Sequence, residues 1–401
     1  MYNHTTRRGL LAGAASSVIA GSALWREAWA AEAPAAPVAL AGCASYGSEL
    51  LPTLNRMFDQ IGGLGRLVKG KTVAVKVNLT GGPESRMGYL PIGLTTWTHP
   101  AVIAAAVHLM GRAGARRIRL LESPWKSAEP LQEHMIGAGW DLSLFTSAAQ
   151  VVEFENTNFL GYGKNYVRFP VPRGGHLFPA FDLNHAYADC DVFVSIGKLK
   201  EHLTAGITLS MKNCFGITPC TIYGDGAPRD EPGLAPQGGR GPIHSGSRQP
   251  ASSSPPEHDP ASPRDGGYRV PRCVADLVAA RPIHLAIIDG VESQTTAETV
   301  NRNATPVKPH VLMAGTNAVC VDAVAAAVMG FDPMADRGSP PFEGCDSTLR
   351  LAEELGVGTR DLKRIEVIGG RIGDLVFDYR KAGGSLRPPP RGKGGGAGGG
   401  W

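Results

Sequence analysis

Two hydrophobic periods alternate along this chain, and their order constrains the fold more than any other feature. Residues Thr72 to Asn78 alternate as a strand, and Gly81 to Thr95 form a polar loop carrying Gly and Pro. Residues His99 to Arg112 place Val102, Ala106, Leu109 and Met110 at helical spacing, and Arg117 to Leu121 are β-like again. Thr98 stands where a helix cap is expected and Gly114 where the helix must stop. A strand, a helix and a second strand in close succession fold compactly as a parallel, right-handed crossover. The same alternation continues. Val38 to Ala44, Val151 to Phe154, Asp189 to Ile196, His284 to Ile288, Val311 to Ala314 and Ile365 to Ile368 read as strands. Ser48 to Gly62, Trp125 to Gly139, Leu142 to Ala149, Cys273 to Ala280, Ala318 to Met329 and Ser347 to Leu355 read as helices. The expected fold class is α/β: a mostly parallel sheet with helices on both faces, interrupted by one long Gly/Pro/Ser-rich disordered insertion.

The 401 residues, 43% hydrophobic and 19% charged, suit one large α/β domain, which we place at residues 31–380. Residues 223–267 (with Ser252-Ser253-Ser254-Pro255-Pro256) hold too few apolar side chains to pack, which predicts a flexible insertion. Residues 381–401 read as a disordered tail. A net charge of +4 with no basic run interleaved with aromatics gives no reason to expect a nucleic-acid partner. Seven scattered cysteines form no Cys-x-x-Cys pair, so the usual spacing for an iron–sulfur cluster is missing. No cofactor is identified, and Cys214 with Cys220 is the one disulfide pair near enough to consider.

The N-terminus carries an address. Arg7-Arg8-Gly9-Leu10-Leu11, a mildly apolar run to Leu24 and the small-x-small site Ala28-Trp29-Ala30 read as a twin-arginine signal peptide over residues 1–30. The expected location is therefore periplasmic or otherwise exported, with the twin-arginine export machinery as a partner. Leu40-Ala41-Gly42-Cys43 matches a lipoprotein box, but the preceding residues hold Glu32, Pro34 and Pro37. We read Cys43 as a small buried residue ending the first strand rather than as a lipid anchor. No stretch of the mature chain is long and apolar enough for a transmembrane segment.

Chemistry concentrates after the strand Val192 to Ile196. If the chain stays extended past Gly197, then Lys198, Lys200 and His202 share one face. Such groups are costly to desolvate unless an anion or a metal meets them. Lys212 and Asn213 follow closely. Ligands of open α/β sheets gather at the carboxyl ends of the strands. Three further strands end in polar residues: Lys76 and Asn78, Glu122, and Asp289. His99 opens a helix, and His244 sits in the insertion. Metal binding by His99, His202 and His244 is chemically allowed but unsupported by any close histidine pair, so the metal is unknown. Asp322 lies inside an apolar helix and must be paired, whether to a lysine or in a catalytic role. His108, His134 and His284 read as packing or surface histidines. The chain has no Gly-x-Ser-x-Gly elbow, phosphate loop or Gly-x-Gly-x-x-Gly turn.

Val75-Lys76-Val77-Asn78-Leu79, Thr98-His99-Pro100, the block from Lys198 to Gly216, Ile288-Asp289-Gly290, and Asn317 through Asp322 to Gly330-Phe331-Asp332-Pro333 occur in an order that resembles the family called domain of unknown function 362. The similarity spans about Val38 to Gly370. It implies an α/β fold and no established activity. Relatives sometimes carry a ferredoxin module, which this chain lacks, and they tend to be glycine-rich where it has Val291-Glu292-Ser293-Gln294.

The reading reached is an exported protein that binds a small anionic molecule. Lys76, Asn78, His99, Lys198, Lys200, Lys212 and Asn213 are its expected ligand-binding residues. His202, with Glu122 or Asp289 as proton partner, is its expected acid–base group. The alternative is a non-catalytic module that binds a metal or cofactor, or that serves the maturation of a redox partner. A structural envelope protein with ion-paired lysines is the blandest option.

Overall fold

A computed structural model describes residues 32–125, 127–158, 166–299 and 303–383. The residues read as a signal peptide, 1–30, and the expected tail beyond residue 383 lie outside them. The central sheet has eight strands. In chain order they are β1 (Val38–Gly42), β2 (Thr72–Lys76), β3 (Arg117–Glu122), β4 (Val152–Asn156), β5 (Val192–Lys198), β6 (Leu285–Gly290), β7 (Val311–Gly315) and β8 (Val367–Gly369). Across the sheet the order is β8-β1-β7-β6-β5-β2-β3-β4. All neighbours pair parallel except β7, which runs against both β1 and β6. The mostly parallel α/β sheet expected from the sequence is therefore present.

Side-chain alternation along these strands feeds two cores. Val73, Val75, Val192, Val194, Leu285 and Ile287 face helices α1 (Leu50–Gln60) and α2 (Pro100–Arg112). Ala74, Phe193, Ala286 and Ile288 point the other way. That second face is covered by α4 (Gly266–Ala280) and α5 (Ala318–Val328), with the short α3 (Leu209–Asn213) before them. Strands buried on both faces explain why β2, β5 and β6 are nearly continuous apolar runs.

Several local expectations need correction. His99, not Thr98, caps α2: its Nδ1 accepts the Ala101 N–H at 3.2 Å. Thr98 instead donates its hydroxyl to the Ile196 carbonyl on β5, 3.1 Å away. The helix expected over Trp125 to Gly139 is reduced to Leu131–Gly137, because Pro130 cannot donate to a preceding turn. All seven cysteines are free, Cys214 and Cys220 included. Cys43 is buried at the end of β1. Residues 223–267 hold little regular structure beyond the helical turn Gly241–His244 and the start of α4. Ile243 packs into the core, and polar pairs also seat them on the domain. Glu257, buried, meets Arg269 at 2.7 Å and Arg264 at 2.6 Å, and Arg240 donates to the carbonyls of Ser123 and Thr218.

One contact fixes the element that carries most of the motif. Asp322, buried in α5, accepts the Ser210 N–H and hydroxyl at 2.9 and 2.6 Å and the Met211 N–H at 2.9 Å. It anchors the start of α3 and pairs with no lysine. Burial raises its pKa to about 7, against the pull of those donors. The approach is close: a Cβ on Gly197 would lie 2.4 Å from the Leu209 carbonyl oxygen, so β5 needs glycine there. Replacing Asp322 by Ala strands three buried donors. It is expected to cost about 3 kcal/mol or more in urea unfolding, since each unsatisfied group costs ~1–3 kcal/mol.

Candidate functional site

The carboxyl ends of β2, β3, β5 and β6 do meet, but three of the four lysines there are satisfied from within. Lys76 Nζ lies 2.6 Å from Glu122 Oε1, 2.6 Å from the Val77 carbonyl and 3.0 Å from Asn213 Oδ1. Lys198 Nζ lies 2.9 Å from Asp289 Oδ2, 2.8 Å from the Gly93 carbonyl and 3.2 Å from the Tyr46 hydroxyl. Lys200 Nζ reaches the Thr96 and Glu298 carbonyls at 2.6 and 2.7 Å and Asn78 Oδ1 at 3.4 Å. An ammonium has three N–H donors, and here every one has an acceptor. Burial lowers the pKa of all three, opposed by Glu122 at Lys76 and by Asp289 at Lys198, and brings Lys200 to about 7.

The carboxylates are equally committed. Glu122 also accepts the N–H groups of Leu79 and Ser123. Asp289 also accepts those of His99 and Val291 and the Tyr46 hydroxyl. Asn213 bridges β2 and β5, receiving Lys76 and Asn78 while donating to Ser195 Oγ. The glycine that ends the block from Lys198 to Gly216 follows from this: a Cβ on Gly216 would sit 3.0 Å from both Lys76 Nζ and Glu122 Oε1.

Lys212 is the exception. Its amine makes no hydrogen bond among the described residues; it rides over the Phe215 ring, 4.2 Å from the centroid, and stays partly open to solvent. Burial pushes its pKa down to about 7; Glu298 opposes, while Arg240 and Lys76 push the same way. Two histidines share its surroundings. His202 Nδ1 accepts the Thr204 N–H at 3.1 Å, so the neutral ring carries its proton on Nε2. His244 stacks edgewise on Phe215 at 4.7 Å, and its Nδ1 faces the Arg240 carbonyl at 3.2 Å. A carbonyl only accepts, so His244 carries its proton on Nδ1 and presents a bare Nε2. Desolvation, with Lys212 next, lowers both imidazoles, His244 to about 3. Both are neutral at physiological pH. The cluster thus offers one N–H donor, one lone pair and one unpartnered amine. In its surroundings four cations (Lys76, Lys200, Lys212, Arg240) face two carboxylates, Glu122 and Glu298.

The predicted site residues divide accordingly. Lys76, Asn78, Lys198, Lys200, Asn213, Glu122 and Asp289 form an internal network at the strand ends. His202 and Lys212 come together beside it. Neither Glu122 nor Asp289 bonds to His202; its nearest carboxylate is Glu298, at 3.8 Å. His99 joins the network through its N–H to Asp289 and stacks on Tyr46 at 3.6 Å, and burial lowers its pKa to about 4. No group of three or more metal-ligating side chains occurs among the described residues. Tyr46 and Glu298 were missed, because nothing in their local sequence distinguishes them from loop residues. His134 and His284 are packing histidines as expected, one stacked on Trp97 and one accepting the Phe193 N–H.

Two surface hollows are present. One of about 490 Å³ sits beside the C-terminal ends of α1 and α2, lined by Asn55, Asp59 and Arg112 among others. One of about 230 Å³ is lined by Arg86, Tyr89, His99 and Trp140. The first touches none of the residues above, and the second borders the network at Gly93 and His99.

A family model described as a domain of unknown function, DUF362, matches residues 73–327, from β2 into α5. The chain belongs to this family. It is 28% identical over 184 residues to "Thylakoid-associated protein sll1697" of Synechocystis, a match covering 45% of this chain and 50% of that protein. The chain thus aligns with about half the length of this curated relative. Two solved structures are distantly similar. The lactate racemase apoprotein of Thermoanaerobacterium thermosaccharolyticum has a TM-score of 0.32 at 14% identity, over 68% of this chain and 54% of that one. A Thermotoga maritima protein has a TM-score of 0.33 at 12% identity, over 64% and 52%.

In this DUF362 member the Lys198–Asp289 pair is wholly buried. Asp289→Ala is expected to cost about 3–5 kcal/mol in urea unfolding, because it strands a buried charge. Lys198→Met added to it is expected to recover a large part of that loss.

Proposed function

We propose that the DUF362 chain binds a small anion, of carboxylate or phosphate type, at the cluster of Lys212, His202 and His244, and moves protons on it. The observation that carries this reading is the unequal treatment of the lysines. Lys76, Lys198 and Lys200 have their donors filled internally, whereas Lys212, in a region of surplus positive charge, has no acceptor of its own. An ammonium left without an acceptor at low dielectric is stabilised by an incoming anion. The two imidazoles supply complementary proton chemistry. His202 Nε2–H donates, and His244 Nε2 accepts. The internal network holds this constellation rigid from the other side.

The sign of the pH dependence follows from Lys212. Below about pH 7 its amine is protonated and attracts an anion; above that value it loses the charge. Affinity for oxalate or phosphate, measured by calorimetry, is expected to fall as pH rises from 6 to about 9. Lys212→Ala is expected to weaken binding at pH 6 by about tenfold or more, ~1.4 kcal/mol, while Lys212→Arg retains it. Equal affinities for wild type and Lys212→Ala contradict the reading.

We further propose export by the twin-arginine route, supported by Arg7-Arg8 and the small-x-small site at Ala28 to Ala30. Arg7→Lys with Arg8→Lys is expected to trap the full-length precursor in the cytoplasmic fraction. Undiminished export of that double variant counts against it.

A further inference from the structure

The four lysines of this region differ in what they can do to a ligand. We propose that Lys212 is a nucleophile that forms a reversible imine with a small anionic carbonyl compound, such as a 2-oxo acid or an aldehyde acid. The proposal rests on the anion-site reading above and deepens it by naming the substrate class.

The geometry separates Lys212 from its neighbours. Attack on a carbonyl requires a nitrogen lone pair that is neither protonated nor tied to an acceptor. Lys76, Lys198 and Lys200 are buried, and each holds three acceptors that favour the ammonium form. Lys212 has no acceptor among the described residues, lies against an aromatic face and is partly accessible. Its environment leaves a substantial neutral fraction near pH 7. Desolvation together with neighbouring cations is the combination that activates amines for this chemistry. The same cations favour an anionic partner over a neutral carbonyl.

The two histidines complete the proton balance. The Lys212 amine adds to the carbonyl carbon and a C–N bond forms. His244 Nε2 accepts one proton from the nitrogen and passes it to the oxygen, giving the carbinolamine, while the His202 Nε2–H hydrogen-bonds that oxygen without releasing its proton. His244 then takes the second nitrogen proton and delivers it to the hydroxyl, the C–O bond breaks, and one water leaves as the neutral imine forms. No oxidant or reductant is consumed.

The test is reductive trapping of the full folded protein with glyoxylate and cyanoborohydride at pH 7, followed by peptide mass spectrometry. The expected result is carboxymethylation of Lys212 at least about tenfold faster than of the exposed Lys69, Lys308 and Lys363, with oxalate as competitor slowing Lys212 alone. Lys212→Arg is expected to lose this labelling while keeping the wild-type circular dichroism and urea midpoint, which verifies that the variant is folded. Labelling of Lys212 no faster than of the exposed lysines overturns the imine proposal. If oxalate still binds in that case, the anion reading stands and only the covalent step falls. If oxalate binds neither wild type nor variant, both fall.

Discussion

Three ammonium groups at the carboxyl end of the sheet set the terms for everything around them. A buried lysine is tolerated only when its donors are met, and Lys76, Lys198 and Lys200 meet theirs with acceptors from distant parts of the chain. Lys76 ties β2 to β3 and to α3. Lys198 ties β5 to β6, to the loop at Gly93 and to Tyr46 in the segment that precedes α1. Lys200 ties the chain after β5 to the loops at Thr96 and Glu298. The loops crowning the sheet are therefore held by charge and hydrogen bonds as well as by buried apolar residues such as Ile92, Trp97 and Val291. Such a frame is rigid in the way a binding site requires.

The frame also explains why the remaining groups are conspicuous. His202, Lys212 and His244 sit at its margin with atoms that nothing in the described chain satisfies. Arg240 and His244 of the Gly/Pro-rich excursion approach the amine, and Asp322 on α5 anchors the helix α3 that carries it. The neutral imidazoles present opposite faces because different backbone groups hold their Nδ1 atoms, the Thr204 N–H in one ring and the Arg240 carbonyl in the other.

Much of the fold was legible in the sequence, since strands buried on both faces and amphipathic helices leave clear periods, and every central strand had its signal. The details that failed were local competitions. Pro130 overruled an apolar helical spacing, and the His99 imidazole displaced Thr98 as a cap because the threonine hydroxyl was drawn to the Ile196 carbonyl. The candidate residues were legible as a cluster of residue types, and Lys212 with His202 does come together. Which lysine is satisfied was not legible, because that depends on partners such as Gly93, Thr96 and Glu298, contributed by loops with no pattern of their own. Glu122 and Asp289 looked like proton partners for His202 in one dimension; in three, each answers a lysine.

The most direct measurement is nitrogen-15 NMR of the lysine Nζ groups across a pH titration, each signal assigned by a single Lys→Arg variant. The account predicts slowly exchanging ammonium protons for Lys76, Lys198 and, below its own midpoint near 7, Lys200, and a rapidly exchanging Lys212 that also has a midpoint near 7. Lys212 titrating with the surface lysines, or exchanging as slowly as the other three, contradicts it.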